Sequence, residues 1–269
     1  MNEYTAFFLA ACDEFCLRES CLSLLSQGVK NFLFLVPQTY WNGDPVTKED
    51  VESVTVVHNE LCTSLSCQSE ILRLDPLHFP GKDYEETEAK MRNHCMGLLQ
   101  QQQQQHVLIV DSDELWRKGA LLSLDYFLQR SKVSVATITA TPIGGFPGYP
   151  IVAKKEGLLV YMRSAERFSN SRSTCTYPAF LDRLGVYHFT STRRTMKETI
   201  RKHIRSTHYG DPLYDFDGWI EKVLPKMKPG LKNCHMFTPW EVWKEVRYFS
   251  EAEWNDIPKS LKSYLGGVE

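Results

Sequence analysis

The chain contains no run of 18 apolar residues, so a membrane-spanning helix is not expected. Its opening, MNEYTAFFLAACDEF, has Glu3 where a secretory leader would carry Lys or Arg, and the apolar piece is only strand-sized. None of the eight cysteines, at positions 12, 16, 21, 62, 67, 95, 175 and 234, forms a CxxC pair. That spacing suits neither a structural zinc site nor, with no secretion signal, a disulfide framework, and it predicts reduced thiols in a cytoplasmic protein. A strong charge of either sign is also lacking. A net charge of −2 and a pI near 6.5 exclude a global attraction to nucleic acid or anionic membrane, so a polyanion has to be met locally. Hydrophobic residues make up 42% and charged residues 24%, which is ordinary globular usage and excludes wholesale disorder. No clean linker divides the chain, and residues 1–269 are expected to form a single domain.

What is present is an alternation of strand-like and helix-like segments. YTAFFLAA reads as a buried strand, followed by a helix in DEFCLRESCLSLLSQG with Phe15, Cys16, Leu22 and Leu25 at helical spacing, Asp13 as N-cap and Gly28 at its end. NFLFLVP is a second strand; QTYWNGDPVT is turn-rich and leads into a helix capped at Thr47. SEILRLDP is a third strand, and DYEETEAKMRNHCMGLL a third helix with Met91, Cys95 and Leu98 on one side. The six glutamines 100–105 read as the solvated end of that helix. VLIV is the next strand, WRKGALLSLDYFLQRS a helix with Leu121, Leu124 and Leu128 inward, and VSVATITA another strand. This order predicts, over residues 4–140, a mostly parallel sheet covered on both faces by helices. The second half has a Gly/Pro cluster, PIGGFPGYP, short strands at IVAKK and GLLVYM, and a tail predicted to be helix-rich.

One stretch needs a chemical explanation. HVLIVDSDELW places Asp111, Asp113 and Glu114 directly after a buried strand. In an open parallel sheet, ligands bind beyond the carboxyl ends of the strands, so these side chains should line a crevice. Three acids this close repel one another, and a hard divalent cation relieves them. Mg²⁺ or Mn²⁺ keeping two or three waters would leave positions for phosphate oxygens. The plainer reading is that Asp113 and Glu114 cap a helix starting near Trp116, a role that one acid would satisfy but that leaves a cluster of three unexplained.

RNHCMGLLQQQQQQHVLIVDSDELW resembles the stretch of family-2-like glycosyltransferases of the GT-A fold in which an Arg-Asn pair opens a helix and the next strand ends in D-x-D. AFFLAACDEFCLRESCLSLLSQG is similar to their first strand and helix. The resemblance implies a GT-A (Rossmann-like) α/β fold, with residues 1–140 binding a nucleotide diphosphate sugar and a metal, and residues 141–269 forming the acceptor side and C-terminal helices. A further likeness lies in LGVYHFTSTRRTMKETIRKHIRSTHYGD, where the family has a metal-ligating His after a short strand. By that resemblance Asp111, Asp113 and His188 would hold Mn²⁺ or Mg²⁺, Asp111 also reaching the ribose or a metal-bound water. Asp13, Arg92 and Arg193 would belong to the donor site. Arg193, Lys197, Arg201 and Arg205 recur every four residues along the helix that follows, beside a stripe of Met196, Ile200 and Ile204. They read either as a solvated face or, at the end with Arg193 and Arg194, as partners for a diphosphate or an anionic acceptor.

The chain departs from the family in two places. Asp44, the carboxylate expected after the second strand, comes only after a longer aromatic loop in which Tyr40 or Trp41 could stack on the base. The acceptor-side Glu-Asp pair has no recognisable counterpart; Glu166 and Asp182 are the nearest base candidates by order. The expected activity is metal-dependent sugar transfer to an acceptor hydroxyl, of a glycan or of a hydroxymethylated DNA base, with the resemblance pointing toward inversion and the residues leaving retention open. The rival readings are a haloacid-dehalogenase-type phosphohydrolase and a non-catalytic nucleotide-sugar binder.

Overall fold

The computed structural model describes residues 2–10, 14–41, 43–145, 147–153, 157–182, 184–193, 195–205, 215–235 and 243–265. In chain order its elements are β1 (Tyr4–Leu9), α1 (Glu14–Leu25), β2 (Asn31–Pro37), α2 (Lys48–Thr63), β3 (Gln68–Leu74), α3 (Tyr84–Gln101), β4 (His106–Asp111), β5 (Glu114–Trp116), α4 (Ala120–Ser131), β6 (Val135–Thr139), β7 (Thr141–Gly144) and β8 (Tyr149–Ala153). There follow β9 (Gly157–Arg163), β10 (Ala179–Leu181), β11 (Val186–Ser191), α5 (Met196–Ile204), α6 (Phe216–Lys222), β12 (Trp243–Val246), α7 (Glu251–Asp256) and α8 (Lys259–Lys262).

Strands that read as continuous apolar runs do so because helices cover both their faces. The central sheet has the order β10-β6-β9-β4-β1-β2-β3, parallel throughout β4-β1-β2-β3, with β9 antiparallel between β4 and β6. Successive side chains along a strand point to opposite faces. Phe8, Phe34, Leu108 and Val110 pack with Leu17, Cys21 and Leu24 of α1, Val54 and Leu61 of α2, and Leu121 and Leu124 of α4. Phe7, Leu33, Leu35 and Ile109 meet Met91, Cys95, Met96 and Leu99 of α3. The α/β class with a mostly parallel, helix-flanked sheet is therefore the one expected from the alternation. Thr47 caps α2 as expected, its hydroxyl accepting from the Asp50 amide at 3.2 Å.

A second sheet, β12-β8-β7-β11-β5, was not foreseen. The Gly/Pro cluster supplies two of its strands, β7 and β8, on either side of the turn. Gly145 is required there: its φ is +94°, and a Cβ would come within 2.7 Å of the Met227 carbonyl oxygen. The expected helix at Trp116 is also corrected. Glu114–Trp116 pair as a strand with β11, and the helix begins only at Ala120, where Gln27, in the turn after α1, accepts from the Leu121 amide at 2.9 Å. The described part of the tail is helix-rich as expected, with α5, α6, α7 and α8, and β12 joins the second sheet. All seven cysteines among the described residues are free thiols, and among those residues no helix is long and apolar enough to cross a membrane.

The α7 entry carries a test of pH dependence. Ser250 and Glu253 form a capping box, and Arg247 clamps Glu253 through two hydrogen bonds of 2.6 Å each. Burial works against the Glu253 carboxylate, but Arg247 and the Ser250 amide and hydroxyl outweigh it and bring its pKa down to about 2. A depressed carboxyl pKa stabilises the fold above the usual value of 4.5 and ceases to do so as pH falls toward about 2. Glu253→Gln is expected to cost about 1 kcal/mol near neutral pH, since solvent reaches Arg247, with the gap to wild type closing as pH drops through that window. Urea unfolding at several pH values reads it; a gap that stays constant down to the acid limit contradicts the assignment.

Candidate functional site

The site forms where β4 leaves the central sheet. Asp111 ends β4, Ser112 and Asp113 turn, and Glu114 opens β5 in the second sheet. Antiparallel pairing of β5 with β11 sets His188 opposite Glu114, and the Phe189 amide donates to the Asp113 carbonyl at 2.8 Å. This register brings the His motif to the D-x-D motif although His188 lies 75 positions after Asp113. Ligand atoms of Asp111, Asp113 and His188 lie within 4.8 Å of one another. First-row divalent cations sit about 2.0–2.2 Å from O and N ligands, and opposite ligands are then roughly 4 Å apart, so this donor set fits Mn²⁺ or Mg²⁺ with small adjustments.

Cations of the chain surround the carboxylates. The Arg193 guanidinium donates to Asp113 Oδ2 at 3.0 Å, Lys202 Nζ stands 3.5 Å from the same oxygen, and His188 Nε2 is 3.3 Å from Oδ1. Burial penalises the Asp113 charge, but Lys202, His188 and Arg193 together hold its carboxyl well below the usual range. Burial likewise disfavours a charged His188, yet Asp113 and, after it, Glu114 and Asp111 move its pKa upward. Glu114 is fully buried, and that burial, aided by the charges of Asp111 and Asp113 and opposed by Arg172, raises its pKa to about 7.

α3 organises the other side. Arg92 is 1% exposed, donates from Nε to Glu88 Oε1 at 2.7 Å and stands 3.6 Å from Asp111, between the rings of Phe7 and Phe168. Its neighbour Asn93 holds the loop after β9: its amide nitrogen donates to the Phe168 carbonyl at 3.0 Å, and its oxygen accepts from the Phe168 amide at 2.8 Å. A bridge between Phe168 and Thr174 closes that loop, and Asn170 Oδ1 accepts from the amides of Arg172 and Ser173 at its tip. Arg172 is thereby aimed at the site, donating to Asp111 Oδ1 at 2.8 Å and to Glu114 Oε1 at 2.9 Å. The Arg-Asn pair thus supports the carboxylates twice, once directly and once through the loop. Among the described residues, three buried polar atoms here have no protein partner: Arg92 Nη1, Ser112 Oγ and Glu114 Oε2.

The remaining candidates fall as follows. Tyr40 and Trp41 are 2% and 6% exposed; the Arg205 guanidinium covers the Tyr40 ring at 3.9 Å, and Trp41 packs in the core beside α3. Asp44 is exposed on the same loop, its carbonyl accepting from the Tyr40 amide. Glu166 lies in the loop after β9 and accepts from the Thr176 hydroxyl, while Asp182 is exposed just past the carboxyl end of β10. Lys197 and Arg201 are exposed on α5. Asp13 and Arg194 lie outside the described residues.

Sequence reasoning missed Arg172, Lys202 and Glu88. The Glu88–Arg92 spacing of four along a helix was a readable signal. Lys202 lies outside the four-residue basic stripe, and Arg172 sits in a serine-rich loop without periodicity, where nothing announced it.

No family model matches the chain, and no curated protein matches it by sequence. Among solved structures, residues 1–349 of S. aureus TarS align at 16% identity over 76% of this chain and 66% of that one, with a TM-score of 0.43. The same fragment in complex with UDP-GlcNAc gives 14% identity, 75% and 64% coverage and a TM-score of 0.41. The inositol-1-phosphate CTP transferase from T. maritima gives 12% identity, 70% and 90% coverage and a TM-score of 0.42. The chain spans less than two thirds of the length of either TarS fragment. At TM-scores below 0.5 these likenesses carry no functional weight, and function rests on the side chains described above.

Proposed function

We propose that the chain is a metal-dependent glycosyltransferase of the GT-A kind, one domain over residues 1–269, which moves a sugar from a nucleotide diphosphate sugar to an acceptor hydroxyl. The observation that carries this reading is the Asp111, Asp113 and His188 cluster at the carboxyl end of β4. Its charge balance supports it. Four carboxylates, Glu88, Asp111, Asp113 and Glu114, stand against four permanent cations, Arg92, Arg172, Arg193 and Lys202. A divalent cation added to that set leaves a net positive charge, the sign that a nucleotide-sugar diphosphate requires. Bound there, Mn²⁺ or Mg²⁺ would act as a Lewis acid on the leaving diphosphate.

The chain's own residues do the rest. Arg193 and Lys202 keep Asp113 ionised and oriented, and Arg92 steadies Asp111. The exposed Asp44 is the candidate partner for the base or ribose, with Tyr40 and Trp41 forming the floor of that loop. Asp182 and Glu166 remain the candidates for the base that accepts the acceptor's proton, as inversion would require.

The test is thermal stability of the purified chain against a panel of nucleoside diphosphates and nucleotide sugars, with and without Mn²⁺. At about 100 times its dissociation constant a ligand adds roughly 2.7 kcal/mol, so a Mn²⁺-dependent shift for one base is expected. No shift with any nucleotide, together with hydrolysis of a generic aryl phosphate, would overturn this reading in favour of a phosphohydrolase.

A further inference from the structure

We propose that Arg172 is an exchangeable countercharge, which pairs with the carboxylates of the site and yields Asp111 to an incoming divalent cation. The inference rests on the cation-binding reading above and assigns a positioning role to a residue that lies outside the proposed ligand set.

Three observations carry it. Arg172 bridges Asp111 Oδ1 and Glu114 Oε1, so a proposed ligand oxygen of Asp111 is already held by a positive group. A guanidinium at hydrogen-bond distance and a divalent cation repel each other strongly, so both cannot share that oxygen at full strength. Arg172 is also the cation best able to leave: its side chain is 24% exposed, against 1% for Arg92 and 3% for Arg193. Lys202, at 16%, is tied to the Thr190 carbonyl at 3.1 Å. Finally, Arg172 sits at the tip of a loop that Asn93 docks at its base and that Asn170 and the Phe168–Thr174 bridge tie within itself, so the guanidinium can swing while the loop stays docked.

The exchange explains how a buried acidic cluster stays folded before a cation arrives. Asp111 and Glu114 are neutralised from within, and the cation has to displace that neutralisation. Arg172 therefore sets the cation affinity lower than the three ligands alone would give.

Titration with Mn²⁺ alone, following the electron paramagnetic resonance signal of the free ion, decides the matter. Arg172→Gln is expected to bind Mn²⁺ on the order of tenfold more tightly than wild type, because a repelling charge has gone. Arg172→Lys keeps that charge and should stay within about threefold of wild type. An arginine that only holds the loop would instead weaken Mn²⁺ binding when replaced by Gln, and equal or weaker binding by Arg172→Gln overturns the proposal. If neither wild type nor Arg172→Gln binds Mn²⁺ in a way that Asp113→Ala removes, the cation site itself is wrong and the exchange falls with it. That failure is distinct from a wild type that binds and a variant that gains nothing.

Discussion

Asp113→Ala is expected to abolish Mn²⁺-dependent nucleotide binding, to lower sugar transfer by at least about 10³-fold, and to destabilise the protein by about 3–5 kcal/mol even with no metal present. The first two effects follow from the proposed ligand role, because a Lewis acid on a leaving diphosphate contributes several kcal/mol to the transition state. The third follows from the partners of Asp113. Arg193 is 3% exposed and donates to Asp113 at 3.0 Å, so removing the carboxylate takes an ion-pair partner from a buried guanidinium. Asp111→Ala separates the two roles. Asp111 is 26% exposed and its partner Arg172 is 24% exposed, so solvent takes over much of the lost pairing and the cost should stay near 1 kcal/mol. Cation and nucleotide binding should nevertheless vanish. Urea unfolding without metal, set beside Mn²⁺-dependent thermal shifts, gives both readouts. Mn²⁺-dependent nucleotide binding that survives in Asp113→Ala sinks the assignment of the site.

How much of this was readable follows from the range of the interactions. The strands at 4–9, 31–37 and 106–111 announced themselves because helices bury both their faces, and continuous apolar runs such as NFLFLVP and VLIV are the local trace of that burial. Thr47 was readable as a cap because capping is local. The second sheet was not readable. β5 is three residues long, and its identity depends on pairing with β11, 70 to 74 residues away; Leu115 and Trp116 suit a helix start equally well. The carboxylates of the site could be found because they are adjacent in sequence, and His188 could be tied to them only through a resemblance. Arg172 had neither aid. It reaches the site because Asn93 docks the loop that carries it, a contact between residues 75 apart that no periodicity records.

The pair Glu88–Arg92 tests whether a buried ion pair serves the fold or the site. Both side chains are nearly inaccessible, at 4% and 1% exposure, and lie 2.7 Å apart. Burial pushes the Glu88 carboxyl upward, with Arg92 pulling it back. Glu88→Ala is expected to cost about 3–5 kcal/mol, because the Arg92 charge stays buried between Phe7 and Phe168 with Asp111 3.6 Å away as the remaining balance. Two buried charges also cost desolvation, so the double replacement Glu88→Leu with Arg92→Met should recover most of that loss. If stability were the reason for the pair, the double variant would be an adequate substitute in every respect. It should not be, since it removes the guanidinium that steadies Asp111 and weakens Mn²⁺-dependent nucleotide binding while the urea midpoint returns toward wild type. A double variant as unstable as Glu88→Ala would mean that the pair is required by the core. One that is stable and binds normally would mean that Arg92 has no part in the site.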